Sequence, residues 1–141
     1  MTQVGFYVLQ EDNAAGLLLL ACRLAEKAYQ RKYRVYLHAP EPDTRRRLDD
    51  KLWTFSQGSF VPHALIEEDT AAPVLIGGAE PPPGVDGLLI NLAPDVPDFF
   101  SRFERLAELV TPDREQRSLA RHRYKFYQDR GYTLETHKIS L

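Results

Sequence analysis

The sequence predicts a three-layer α/β/α domain on a mostly parallel sheet, and three observations predict it. Short apolar runs rich in aromatic and β-branched residues alternate with stretches of helical periodicity. The opening order of strand, helix, strand, helix implies parallel strands joined by right-handed crossovers. The chain of 141 residues, 43% apolar and 27% charged, suffices for one ordinary soluble domain, residues 1–141, with a core of its own.

Residues 4–9, Val-Gly-Phe-Tyr-Val-Leu, read as a buried strand. Gln10-Glu11-Asp12-Asn13 follows as a polar turn that supplies Asp12 or Asn13 as a helix N-cap. Leu17, Leu20, Ala21, Leu24 and Ala28 recur at helical spacing, which predicts a helix over 14–31 with a wide apolar face. Residues 33–39 form a second strand, interrupted by Pro40 and Pro42, and 44–55 a second helix with Leu48, Leu52 and Phe55 on one side. Residues 60–63 are a short extended piece; 73–76 and 87–92 are strands separated by a Gly- and Pro-rich surface turn at 77–84. Phe99, Phe103, Leu106 and Val110 fall at helical spacing and predict a helix over 99–110. A basic helix over 111–131 and a Thr-rich strand over 132–137 complete the chain, with no repeat and no linker.

Several function classes are poorly served by this pattern. The longest apolar run, residues 17–22, is far short of the roughly 20 residues of a membrane span, and no secretion signal opens the chain. Cys22, the lone cysteine, excludes an internal disulfide and fits a reducing cytoplasm; on its Ala- and Leu-rich helix it reads as a buried, inert thiol. A Rossmann-like fold invites a nucleotide, but the first turn offers carboxylates where a phosphate needs bare glycines and free N–H groups, so the sheet is expected to lack a phosphate-binding loop. The four histidines show no metal-ligand spacing, no nucleophile elbow is present, and adjacent Asp49 and Asp50 face different ways on a helix. No cofactor, metal or catalytic centre is expected, and the sequence argues for a binding module.

Two surfaces are candidates for that binding. Arg114, Arg117, Arg121 and Lys125 recur at spacings of three, four and four, which places them in one narrow stripe of the last helix, with Tyr124 at its edge. Residues 111–141 hold seven Lys or Arg against four Asp or Glu, a net of +3, and residues 1–110 eleven against sixteen, a net of −5. Charge is therefore segregated within a chain whose total is −2. Such a ridge suits an acidic peptide or a phosphate; a solvated helix face gives the same spacing. Arg123 falls off the stripe, toward Leu119 and Phe126, with no partner apparent in the sequence. The second surface gathers Trp53, Phe55 and Phe60 with Pro62 around one helix end and its exit loop, either as an interface or as closure of the core beneath the loop.

The motifs Leu-Asp-Asp-Lys-Leu-Trp at 48–53, Ser-Phe-Val-Pro-His at 59–63 and Ala-Arg-His-Arg-Tyr-Lys-Phe-Tyr at 120–127, with Phe-Tyr-Val-Leu at 6–9 and Gly131-Tyr132, together resemble the chi subunit of bacterial DNA polymerase III. The likeness runs from the first strand to the last helix. It implies a non-catalytic accessory protein of the clamp-loader complex that pairs with a psi subunit and binds the acidic, Phe-terminated tail of single-stranded DNA-binding protein. By that resemblance the tail pocket falls on Arg121, with Arg117, Tyr124 and Lys125 around it and Val110, from the preceding helix, as an apolar wall. The psi-facing surface falls on Trp53 and Phe60, a face that in some relatives also serves a helicase. Direct binding of nucleic acid by the ridge and a nucleotide-binding module on the same fold are the alternatives, weakened by the acidic pI near 6.1 and by the acidic first turn.

Overall fold

A computed structural model describes residues 1–11 and 13–141. The elements are β1 (Gln3–Leu9), α1 (Ala14–Gln30), β2 (Val35–His38), α2 (Pro42–Thr54), β3 (His63–Leu65), β4 (Val74–Gly77), β5 (Leu88–Asn91), a 3-10 turn (Phe100–Arg102), β6 (Arg105–Val110), α3 (Arg114–Asp129) and β7 (Leu134–Ile139). The seven strands form one sheet in the order β3-β4-β2-β5-β6-β1-β7, and every neighbouring pair is parallel.

The order of the strands dictates the layers. From β1 the chain moves across the sheet to β2 and on to the β3 edge, then returns through β4, β5 and β6 and passes over β1 to the β7 edge. Right-handed crossovers that run in opposite directions lie on opposite faces. The helices of the outward run, α1 and α2, therefore share one face. Leu20, Ala25, Leu48 and Leu52 pack there against Leu37, Ile76 and Ile90. The other face is covered by α3, the 3-10 turn and proline-rich loops, where Tyr127, Phe100 and Phe103 close over Phe6, Tyr36 and Leu89.

Local chemistry sets most element ends. Asn13 caps α1 by accepting the Ala15 N–H at 3.0 Å; Asp12, the other candidate cap, lies outside the described residues. Pro42 opens α2 in the first turn, where its missing N–H costs nothing, so the helix begins two residues before the expected Thr44. Asp113 accepts the Gln116 N–H at 3.0 Å and starts α3 at Arg114, leaving Thr111 and Pro112 outside the helix. Cys22 is fully buried, and burial pushes its thiol up to about 12, as an inert thiol requires.

One expected element is of the wrong type. Residues 99–110 form no helix: the 3-10 turn is followed by β6, a central strand paired with β1 on one side and β5 on the other. Val110 accordingly ends a strand. A strand covered on both faces buries consecutive residues, so Leu106, Ala107, Leu109 and Val110 are all buried and the pattern loses its period of two. The apolar residues of 99–110 happen to satisfy the helical period as well, and Glu108 in their midst disguises the strand.

Candidate functional site

The placement of α3 begins with that glutamate. Glu108 is wholly buried, and its carboxylate accepts three side chains: Arg123 Nε at 2.9 Å, the Tyr127 hydroxyl at 2.6 Å, and Asn91 Nδ2 at 3.0 and 3.2 Å. Arg123, 5% exposed, also donates to the Pro94 carbonyl at 2.9 Å. Burial pushes the Glu108 carboxyl above its ordinary range, against the opposing pull of Arg123, and burial with the neighbouring carboxylate pushes the Tyr127 hydroxyl up. Arg123 thus has the partner that its sequence position concealed. Two side chains four residues apart on α3 grip one strand residue, which sets both the rotation of the helix and its position along its axis.

With that rotation, Ala120 is buried and Tyr124 is half-buried against β1, its ring 5.2 Å from that of Phe6. Residues 117, 120, 121 and 124 share a face by their spacing of three and four. They border an open cavity of about 250 Å³ whose remaining lining is Phe6 and Val8 of β1, Val110 of β6 and Thr136 of β7. Arg117 and Arg121 stand exposed at its rim, and among the described residues neither guanidinium has an ion-pair or hydrogen-bond partner. Of the five residues expected here, the structure brings together Val110, Arg117, Arg121 and Tyr124. Lys125 lies outside the lining and faces Asp129, with an N–O distance of 3.4 Å.

Phe6, Val8 and Thr136 join the site without being marked for it in the sequence. Phe6 and Val8, two apart on β1, point to one face, and the parallel register sets Thr136 beside Phe6. That register is a tertiary fact, with no local signal. The cavity is smaller than the roughly 300–1,000 Å³ that encloses a drug-sized ligand. It fits a single apolar side chain, with two free guanidiniums above to take a carboxylate in charge-assisted hydrogen bonds.

The second expected surface lies on α2 and the segment before β3. Trp53 is 58% exposed and Phe60 65%, with ring centroids 6.0 Å apart. Their exposure leaves closure of the core to Leu52 and Val61, each buried to 1%. His63 supports the Trp53 ring from 4.7 Å, and its Nε2 lies 3.3 Å from Asp49 Oδ1. The result is a propped aromatic pair standing out from the α2 end.

Among the described residues no three His, Cys, Asp or Glu side chains gather where they could hold a metal ion, and no helix is long and apolar enough to cross a membrane.

The family model described as DNA polymerase III chi subunit, HolC, matches residues 1–135. The chain is 44% identical over 139 residues to the DNA polymerase III subunit chi of Pseudomonas aeruginosa, covering 99% of this chain and 98% of the relative. It is 31% identical to the subunit chi of Escherichia coli over 96% of this chain and 97% of that one, and 30% identical to that of Haemophilus influenzae over 95% of each.

Proposed function

This chain belongs to the DNA polymerase III chi subunit family, and we propose that it works as a non-catalytic, single-domain accessory subunit of the clamp-loader complex, binding the acidic C-terminal tail of single-stranded DNA-binding protein at α3 and a psi subunit at the Trp53 face. It would thereby link the polymerase to coated single-stranded DNA. The observation that carries the reading is the apolar cavity beneath the unpaired Arg117 and Arg121. A peptide that ends in Asp residues and a Phe presents side-chain carboxylates, a terminal carboxylate and one apolar anchor. Arg121 takes the terminal carboxylate, Arg117 and the nearby Lys125 attract the acidic residues, and Val110 with the Tyr124 ring covers the Phe.

The exposed Trp53 and Phe60 pair supports the second half of the proposal, since paired aromatics on a surface are favoured anchors of protein interfaces. Calorimetric titration with the tail peptide tests the first half. A charge-assisted bond contributes roughly 1.5–3 kcal/mol, so Arg121→Ala should weaken binding by about 10- to 100-fold without lowering the melting temperature. Unchanged affinity would refute the assignment of the tail to this cavity. For the other face, Trp53→Ala should reduce co-purification of psi, and an equally salt-resistant complex would refute it.

A further inference from the structure

The cavity under α3 has a second wall, and the strand that forms it carries a cation of its own. Thr136 of β7 lines the cavity. Residues two apart on a strand point to one face, so the Lys138 side chain projects on the α3 side as well. Its register partner on β1 is Val8, which also lines the cavity. Lys138 is exposed and has no ion-pair or hydrogen-bond partner among the described residues. The helix and the strand run in opposite directions, since α3 starts beyond the carboxyl end of β6 and leads into the amino end of β7. From Arg121 back to Arg117 the helix advances about 6 Å toward the carboxyl ends of the strands. From Thr136 to Lys138 the strand advances about 6.6 Å the same way. The two rows flank an apolar floor of Phe6, Val8 and Val110, with Arg117 and Lys138 at the same end. Lys125, beside Asp129, lies toward the other end.

The backbone of β7 adds donors at the same place. The Val4 N–H donates to the Thr133 carbonyl at 3.1 Å and the Gln10 N–H to the Ile139 carbonyl at 2.9 Å, so the odd-numbered residues of β7 bond to β1. The N–H groups of Thr136 and Lys138 therefore face away from the sheet. Exposed edge strands are commonly blunted by shortness, proline or a bulge. β3, at the opposite edge, has only three residues, whereas β7 has six, without proline and in unbroken register with β1. An extended segment that carries carboxylates matches this end of the groove, where unpaired cations stand beside free N–H groups. An antiparallel second copy of β7 would instead bring the same cations to the same face.

We propose that Lys138 is a binding residue for an acidic peptide, and that the acidic segment leaves the cavity over the β7 edge, between Arg117 and Lys138, rather than along α3 past Lys125. The proposal rests on the reading of the α3 cavity as the tail site, and adds to it the path of the chain beyond its anchored Phe.

Two synthetic peptides with free carboxyl termini serve as probes, Asp-Asp-Asp-Gly-Phe and its uncharged counterpart Asn-Asn-Asn-Gly-Phe. Each is titrated into the isotope-labelled full chain at low salt and followed by NMR, which reads weak affinities. The Lys138 amide should shift saturably with the Asp peptide. Lys138→Met should weaken that peptide by at least about threefold, as an exposed charge pair allows. It should also flatten the salt dependence and leave the Asn peptide unaffected. Lys138→Arg should bind as wild type does, and Lys125→Met should cost less than Lys138→Met. Lys138 is exposed, so these variants should keep the wild-type melting temperature. Unchanged affinity of Lys138→Met for the Asp peptide, with binding still lost in Arg121→Ala, would overturn the proposed path and leave the cavity as the tail site. An equal loss for both peptides would overturn the role of Lys138 as a partner of the acidic residues. No binding of either peptide by the wild-type chain would overturn both this proposal and the reading on which it rests.

Discussion

Glu108 and Arg123 show how much one buried charge pair can decide. Their side chains are 0% and 5% exposed and 2.9 Å apart, so each is tolerable only because the other is present. Arg123→Ala strands the Glu108 carboxylate inside the domain and should destabilise it by about 3–5 kcal/mol. Arg121→Ala, two residues away on the exposed side of the same helix, should stay within about 0.5 kcal/mol of wild type. Replacing Arg123 and Glu108 together by leucine removes the unpaired charge but leaves the buried Tyr127 hydroxyl without its acceptor, so it should recover only part of the first loss. Urea unfolding of the three variants checks this, and an Arg123→Ala variant as stable as Arg121→Ala would contradict it. The two arginines also mark what a sequence discloses. Arg117 and Arg121 belong to a periodic stripe and can be placed on a helix face from spacing alone. Arg123 depends on a strand residue 15 positions earlier, and no local pattern joins them.

Among the elements, the start of α1 is legible in the sequence because its cause is local, whereas α2 and α3 begin two residues before and three residues after the expected Thr44 and Thr111. Asn13, Pro42 and Asp113 act within one turn of the backbone they cap. β6 was illegible because a strand buried on both faces carries no alternation, leaving the helical spacing of Phe99, Phe103, Leu106 and Val110 unopposed. The C-terminal ends of α1 and α3 repeat one motif with different chemistry. After α3, the N–H groups of Gly131 and Tyr132 donate to the Gln128 and Tyr127 carbonyls at 3.0 and 3.1 Å, with Gly131 at φ 79°. After α1, Lys32 and Tyr33 do the same to Tyr29 and Ala28 at 2.9 and 3.0 Å, but the left-handed position, at φ 67°, is held by Lys32. A side chain there costs roughly 1–2 kcal/mol, which glycine escapes while losing about 0.5–1 kcal/mol to the unfolded chain. Lys32→Gly should therefore stabilise the domain by about 0.5–1 kcal/mol and raise the melting temperature by roughly 1–4 °C. A lower melting temperature would show that Lys32 makes a compensating interaction in the folded chain.

At the scale of the whole molecule, the strand order separates the two proposed interfaces. β3 and β7 are the outermost strands, and six spacings of about 4.8 Å put them roughly 29 Å apart. The Trp53 pair sits by β3 on the face of α1 and α2, and the cavity under Arg117 and Arg121 sits by β7 on the face of α3. Two partners held there need not compete, which is the geometry a bridging subunit requires. The net charge of +3 on the last 31 residues, against −5 on the rest, serves the same end, because it favours attraction of an acidic segment toward α3. We expect the β7 edge to capture an acidic peptide by its terminal Phe. The most direct test is a titration of the protein with the last residues of its cognate single-stranded DNA-binding protein, with and without that Phe. Binding should weaken with salt and disappear when the Phe is removed, whereas equal affinity for the two peptides, or none for either at low salt, would rule out capture at this edge.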